Sequence, residues 1–377
     1  MTEPGTTRRV ARGRVRVGAL LALVFLLVIG GAAAGMWLWL QHEFVQPGPA
    51  PDAVRIDVEP GASVRSVLTR LESSGSLRNA RAVEWYLRLH GRKLRVQSGA
   101  YELPAHASPA QILSLFEEGK VILEQLTVVE GATFVDFLDA LEQHPRVVHT
   151  LHGTSPADIM AALGHPGLPA EGQFFPDTYR FAANTTDLAI LALAYESMQR
   201  ALTAAWQARS PDLPLANPYQ ALILASIIEK EAALESERPL IAGVFVNRLR
   251  KSMRLQSDPT VIYGLGEHYD GTIHTRDLLR DNPYNTYTRE GLPPTPIALP
   301  GRESLRAAVR PVDTAALYFV ATGLGNGAHH FSSTLQEHNS AVQTYLERLR
   351  ASAHGPAAKP PPTTPSATDV GQGAHPP

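Results

Sequence analysis

Apolar positions fall along this 377-residue chain in three different rhythms. The first is continuous: Val17 to Leu40, 24 residues, carries no charge. At 1.5 Å per residue such a run crosses a bilayer core of about 30 Å as one helix. The second rhythm is an alternation that turns into helical spacing, and it occurs twice. Ile56-x-Val58-x-x-Gly61-x-Ser63-Val64-x-x-Val67-Leu68-x-x-Leu71 returns 70 residues later as Leu126-x-Val128-x-x-Gly131-x-Thr133-Phe134-x-x-Phe137-Leu138-x-x-Leu141. Each copy predicts a strand, a glycine turn, a Ser or Thr cap and an amphipathic helix. After the first copy, the pattern predicts a helix over 80–89, a strand over 98–103 and a small helix over 108–118, a βααβ order.

The third rhythm is a dense apolar helix. Asn217 is a good N-cap and Pro218 fits the first helical position, ahead of Tyr219-Gln220-Ala221-Leu222-Ile223-Leu224-Ala225-Ser226-Ile227-Ile228-Glu229-Lys230-Glu231. At roughly 100° per residue, Ala221, Leu224, Ile227 and Ile228 share a face, and Glu231 falls near its centre. Glu229 projects roughly 140° from Leu224, toward Leu222 and Ser226 and more nearly to solvent. Burial disfavours the charged form of a carboxyl, so an inward Glu231 holds its proton near neutral pH. That is the property a general acid for a glycosidic oxygen needs. The alternative is that Glu231 lies past the ordered helix or pairs with Arg238 or Arg248. A second helix is expected from a Ser236 cap to Leu249. A proline turn follows at Met253–Gly264, and another helix starts near Ser304.

Charge changes the picture at the N-terminus. Arg8, Arg9, Arg12, Arg14 and Arg16 precede the apolar run, and only His42 and Glu43 lie close behind it. The positive-inside rule puts residues 1–16 in the cytoplasm and everything after Leu40 across the membrane. Gly31-Ala32-Ala33-Ala34-Gly35 resembles a signal-peptide cleavage site. The apolar run continues past it, however, and Trp37 and Trp39 suit an interfacial belt. The expected organisation is a basic tail (1–16), a transmembrane helix (17–40), a linker (41–52), a βααβ module (53–122), a larger mixed domain (123–350) and a disordered Pro-rich tail (351–377). Gln46-Pro47-Gly48-Pro49-Ala50-Pro51 in the linker favours an extended, semi-rigid spacer. The chain has no cysteine, which removes disulfide and thiolate chemistry. A net charge of −2 gives no footprint for nucleic acid. No His or carboxylate spacing fits a metal site, no phosphate loop follows a strand, and no cofactor is expected.

Ala225–Glu231, Val246-Asn247-Arg248-Leu249, Leu255-Gln256-Ser257-Asp258-Pro259-Thr260-Val261-Ile262-Tyr263-Gly264, Tyr284-Asn285-Thr286-Tyr287 and Gly291-Leu292-Pro293-Pro294 together resemble the YceG-like family of endolytic murein transglycosylases. Glu171-Gly172-Gln173-Phe174-Phe175-Pro176-Asp177-Thr178-Tyr179, Leu317-Tyr318-Phe319-Val320 and His330-Phe331-Ser332 extend the likeness to about Leu349. The resemblance implies an α+β chain: one membrane helix, a small βααβ module and a YceG-like catalytic domain. The module has the size and pattern of a LysM-like unit, whose known members bind wall aminosugars; the alternative is a plain α+β spacer, since no aromatic ligand-stacking set is evident. The resemblance implies cleavage of the MurNAc–GlcNAc β-1,4 bond within peptidoglycan strands to give 1,6-anhydro-MurNAc ends. It also implies residence in the inner (cytoplasmic) membrane with the catalytic domain outside it, and peptidoglycan synthases as companions.

The family's second Glu of the Glu-Lys-Glu triplet matches Glu231, the residue the helical wheel selects, with Glu229 as fallback. One carboxyl suffices, as acid to the leaving oxygen and then base to the sugar's own 6-hydroxyl. Candidate substrate contacts are Gln256 and Asn285 (to N-acetyl or hydroxyl groups), Tyr263 and Tyr287 (stacking, or orienting the 6-hydroxyl), Asp258 (steadying an oxocarbenium, or capping a turn), and Arg238 and Arg248 (to carboxylates, or in structural salt bridges). Two other functions fit the same compartment. A hydrolytic muramidase needs a second carboxylate, with Asp258 or Asp177 as candidate. A non-catalytic wall-binding scaffold needs only the βααβ module. A pyridoxal-phosphate lyase needs a buried Schiff-base lysine, and Lys230 points away from the apolar face.

Overall fold

The computed structural model describes residues 9–59 and 61–353. Most of the two expected tails, 1–16 and 351–377, falls outside the described residues. The chain is a mixed α/β protein that divides into two compact units. One runs to Ala204 and takes in Thr295–Gly301; the other comprises Ala205–Pro294 and the chain from Arg302.

The first unit begins with α1 (Arg9–Val45), whose segment Leu20–Val45 is long and apolar enough to span a membrane. The βααβ order follows as β1 (Val54–Val58), α2 (Val64–Ser73), α3 (Ala80–Leu89) and β2 (Gly99–Leu103), then α4 (Pro109–Glu117). β1 and β2 pair antiparallel, Val54 against Leu103 through Val58 against Gly99. Ser63 caps α2, Asn79 caps α3 and Ser108 caps α4 with a full capping box, so each helix begins where a side-chain oxygen satisfies a free N–H. Leu68, Leu71, Val83, Tyr101, Leu103 and Phe116 form the core between them.

The second copy of the repeat forms β3 (Leu123–Thr127) and α5 (Phe134–Glu142), with Thr133 as cap. Gly61 and Gly131 sit in the same left-handed turn, φ +76° and +78°, which explains the shared glycine. The copies then diverge. β3 pairs antiparallel with β5 (Thr178–Ala182), beyond β4 (Val147–Val148) and α6 (Pro156–Ala162); β6 (Thr185–Thr186) runs parallel to β4. α7 (Asp187–Gln207) completes a second core around Phe137, Phe174, Ile190 and Leu299.

The linker differs from the expected spacer. α1 continues to Val45, and Phe44 enters the module's core, stacked on Tyr86 at 3.7 Å. The prolines that follow are pinned: Gly48 N–H donates to His106 O and His106 N–H to Ala50 O. A Cβ on Gly48 would lie 2.4 Å from Ala107 O, so only glycine lets the linker seat this closely.

The second unit is built on α8 (Pro218–Glu231), capped by Asn217 as the sequence predicts. Ala221 through Ile228 are all buried, so the helix is enclosed on every side over these two turns, and Lys230 near its C-terminus is exposed. α9 (Arg238–Arg250) has Glu237 at its N-cap position, one residue later than the expected Ser236, after a 3-10 turn at Glu235–Glu237. The expected proline turn is the first turn of α10 (Asp258–Leu265), because Pro259 suits a helix start. α11 (Thr275–Leu279) and α12 (Arg302–Val309) follow, then the hairpin of β7 (Tyr318–Ala321) and β8 (His329–Ser332), and α13 (Leu335–Ala353).

Gly48→Ala is expected to cost about 1–3 kcal/mol through the forced backbone shift. Scanning calorimetry of the whole chain should show the first unit's transition lowered by several degrees and the second unit's unmoved; an unchanged thermogram would mean that the linker is free.

Candidate active site

Glu231 is the last residue of α8, where the helix ends in an extended Ala232. Its carboxyl sits at the negative end of the helix dipole, which disfavours ionisation. Ser257 stands at the N-cap of α10 yet its hydroxyl makes no capping bond. It donates instead to Glu231 Oε1 at 2.6 Å. Glu231 Oε2 carries no hydrogen bond among the described residues. The carboxyl is pushed up from 4.5 to about 7: burial is the main cause, Ser257 opposes it, the nearby Asp258 charge adds to it, and Arg248 opposes it. A group so tuned holds its proton near neutral pH and releases it readily, which suits acid and base roles in turn.

The loop presenting Ser257 is locked to the segment around Thr286. Gln256 takes φ +50°, an uncommon conformation for a residue with a side chain. Two bonds hold it there: Gln256 N–H donates to Thr286 O at 3.1 Å, and Ser257 N–H donates to Thr286 Oγ1 at 3.0 Å. Thr260 Oγ1 lies 2.9 Å from Thr286 Oγ1 and donates to Ser257 O at 2.7 Å, closing a buried hydroxyl cluster.

Arg248 clamps the same loop from behind. Its guanidinium is buried and donates to Leu255 O and Leu317 O, each at 2.7 Å, and it lies 5.3 Å from the centre of the Tyr318 ring. Asn247 donates to Thr314 O and Ala316 O. The Val246–Leu249 motif thereby ties α9 to the strand entering β7.

The predicted site residues separate into three groups. Glu231, Gln256, Asp258 and Tyr287 come together. Asp258 is exposed and accepts the Tyr287 hydroxyl at 2.5 Å. Tyr287 is held well above the usual phenol range by burial and by the Asp258 and Glu231 charges, so it stays neutral and donates. Gln256 is exposed, with its carbonyl 3.4 Å from Arg248 Nη1. Tyr263 lies one turn farther along α10, half-buried and edge-on to Tyr284 at 4.9 Å.

Three others serve the scaffold. Asn285 is fully buried; its amide donates to Asp277 O, Leu278 O and Arg280 O while its carbonyl accepts from Tyr287 N–H, so it offers nothing to a sugar. Arg248 is spent on backbone carbonyls. Arg238 forms a buried ion pair with Glu229 at 3.0 Å, both side chains under a tenth exposed. The solvent-facing orientation expected for Glu229 is therefore wrong. The helix is enclosed all round up to Ile228, and an inward carboxylate at the next position needs a cation.

Ser257 and Thr286 are the residues the sequence reading missed. Both lay inside recognised segments, but neither carries a charge or an aromatic ring to single it out. The Glu171–Tyr179 segment, by contrast, is architectural. Glu171 accepts the N–H of Phe134 at the start of α5, and Phe174 fills the second core.

The YceG-like family matches residues 56–344, most of the chain. The chain belongs to the YceG-like family. A Bacillus subtilis member named endolytic murein transglycosylase is 31% identical over 310 residues, covering 78% of this chain and 85% of the relative. A Streptococcus pneumoniae protein of the same name is 26% identical over 333 residues; the match spans 78% of this chain and 58% of that longer protein. A crystal structure of a yceG-like protein from Listeria monocytogenes aligns with 30% identity over 77% of this chain and 99% of its own, at a TM-score of 0.44. The segments that interlock around Glu231 all lie within the family match.

Ser257→Ala removes a donor that favours the Glu231 carboxylate, so it raises the carboxyl's pKa. For a reaction that starts from protonated Glu231, the alkaline limb of the pH–rate profile is expected to move up by about one pH unit or more, with the low-pH rate within a few-fold of wild type. A uniform loss of rate with an unmoved limb would make Ser257 merely structural.

Proposed function

We propose that this chain is a membrane-anchored endolytic peptidoglycan lytic transglycosylase that cuts MurNAc–GlcNAc β-1,4 bonds within nascent strands. The observation that carries this reading is the single tuned carboxyl: Glu231, pushed up to about 7, with one oxygen held by Ser257 and the other open. Glu231 Oε2–H protonates the glycosidic oxygen as the MurNAc C1–O bond breaks, and the GlcNAc end leaves with a 4-hydroxyl. The resulting carboxylate takes the proton of the MurNAc 6-hydroxyl as that oxygen closes on C1. The acid is regenerated, no water is consumed, and the new end is 1,6-anhydro-MurNAc. Paired carboxylates about 5–9 Å apart, the usual glycosidase equipment, are not required.

Asp258, steadied by Tyr287, is assigned to the positive charge that develops at C1. The exposed Gln256 amide is assigned to N-acetyl or hydroxyl groups, and Tyr263 to a sugar face. The βααβ module is assigned a LysM-like role in holding glycan, and α1 the role of a single-pass anchor in the cytoplasmic membrane with its basic end inside. The domain boundaries read from the sequence, with the first helix carried on to Val45, and companionship with peptidoglycan synthases, belong to the same proposal. The names of the curated relatives support the reaction; the cluster around Glu231 supports the residue.

Mass spectrometry of uncrosslinked glycan strands incubated with the whole chain tests both. The expected products are internal fragments ending in anhydro-MurNAc, one water lighter than a reducing end, and Glu231→Gln is expected to lose at least about 100-fold in rate. Reducing ends would instead assign a hydrolase using Asp258 as second carboxylate. Cleavage at the normal rate by the Gln variant would remove Glu231 from the mechanism.

A further inference from the structure

We infer that α3 lies in the outer membrane–water interface and docks the βααβ module onto the lipid surface. This rests on the anchoring role proposed for α1, and it adds a second point of membrane contact to it. The starting observation is that α1 does not end at a flexible linker. Trp37 stacks on His90 at 4.9 Å, Gln41 Nε2 lies 3.1 Å from His90 Nε2, and Phe44 stacks on Tyr86. α3 is therefore fixed against the last turns of the membrane helix.

Depth follows from that fixed packing. An apolar groove of about 690 Å³ lies between the two helices, lined by Ala33, Met36 and Trp39 of α1 and by Arg81, Trp85 and Leu89 of α3. Ala33 precedes Leu40 by seven residues, about 10 Å along the axis. A groove that reaches Ala33 and Met36 therefore extends into the apolar span, and its α3 wall goes with it.

The surface of α3 fits this position. Val83 and Leu87 face the module's core, whereas Trp85 and Leu89 are 58% and 54% exposed. Two bulky apolar side chains beside exposed Met36 and Trp39 are unfavourable in water and suited to the headgroup boundary, where tryptophan concentrates. Charge points to the same occupant. Residues 80–96 hold Arg81, Arg88, Arg92, Lys93 and Arg95 against one acid, Glu84. Arg88 pairs with Glu84 and Arg92 with Glu117. Arg81, Lys93 and Arg95 are exposed and make no ion pair among the described residues; Arg81 lines the groove itself, and Lys93 and Arg95 follow α3 in the chain. Acyl chains fill the groove while lipid phosphates meet these cations.

The test uses the full chain in nanodiscs of phosphatidylcholine and phosphatidylglycerol with acyl chains brominated near the headgroup. Three single-tryptophan forms retain Trp39, Trp85 or Trp206, the other tryptophans being replaced by phenylalanine. Bromolipid is expected to quench Trp39 and Trp85 several-fold more than Trp206, and aqueous iodide to spare Trp85. If Trp39 is quenched while Trp85 answers only to iodide, the anchor stands and the docking is overturned. If neither responds to lipid, anchor and docking fail together. If Trp85 is shielded from both quenchers in discs that hold two copies, a second chain covers the face and the lipid assignment is overturned.

Discussion

Everything at the candidate site depends on one interlock, the pair of hydrogen bonds by which Thr286 holds Gln256 and Ser257. A residue in the left-handed region is strained by order 1–3 kcal/mol and keeps that conformation only where its surroundings insist on it. Here the strain has a geometric result. It turns Ser257 so that its hydroxyl leaves its own helix uncapped and reaches Glu231. Without the Thr286 contacts, the loop would relax, Ser257 would be free to cap α10, and the carboxyl would lose the partner that sets its orientation.

The chemistry of Glu231 is a balance of the same kind. Burial and the Asp258 charge push its proton affinity up, while Ser257 and Arg248 pull it down. Neither side acts alone, so the carboxyl settles near neutrality, where donating and accepting a proton have similar cost. Arg248 contributes mainly through geometry: its donors go to the Leu255 and Leu317 carbonyls, so the charge that moderates Glu231 also holds the loop.

Much of this was legible in the sequence because it follows local rules. Asn217 and Pro218 mark the start of α8, the repeated Gly and Ser/Thr positions mark two strand–turn–helix units, and the helical wheel places Glu231 on the apolar face. What was not legible depends on long-range packing. A helical wheel assumes a wet side, and α8 has none from Ala221 to Ile228, which is why Glu229 is an inward ion-pair partner of Arg238. Asn285 has the side chain of a sugar-binding residue, but the Asp277, Leu278 and Arg280 carbonyls at the end of α11 consume its amide. The Pro-rich linker has the composition of a spacer; only the tertiary contact of Gly48 with the His106–Ala107 backbone shows it seated. Ser257 carries no distinguishing property except the neighbour that folding gives it.

The central claim is that the fold keeps one carboxyl protonated near neutral pH. Carbon-13 NMR of side-chain-labelled glutamate, with the Glu231 resonance assigned by its loss in Glu231→Gln, measures this directly across a pH titration. The account predicts a midpoint at about 7, well above the ordinary 4.5. A midpoint at or below the ordinary value would contradict it.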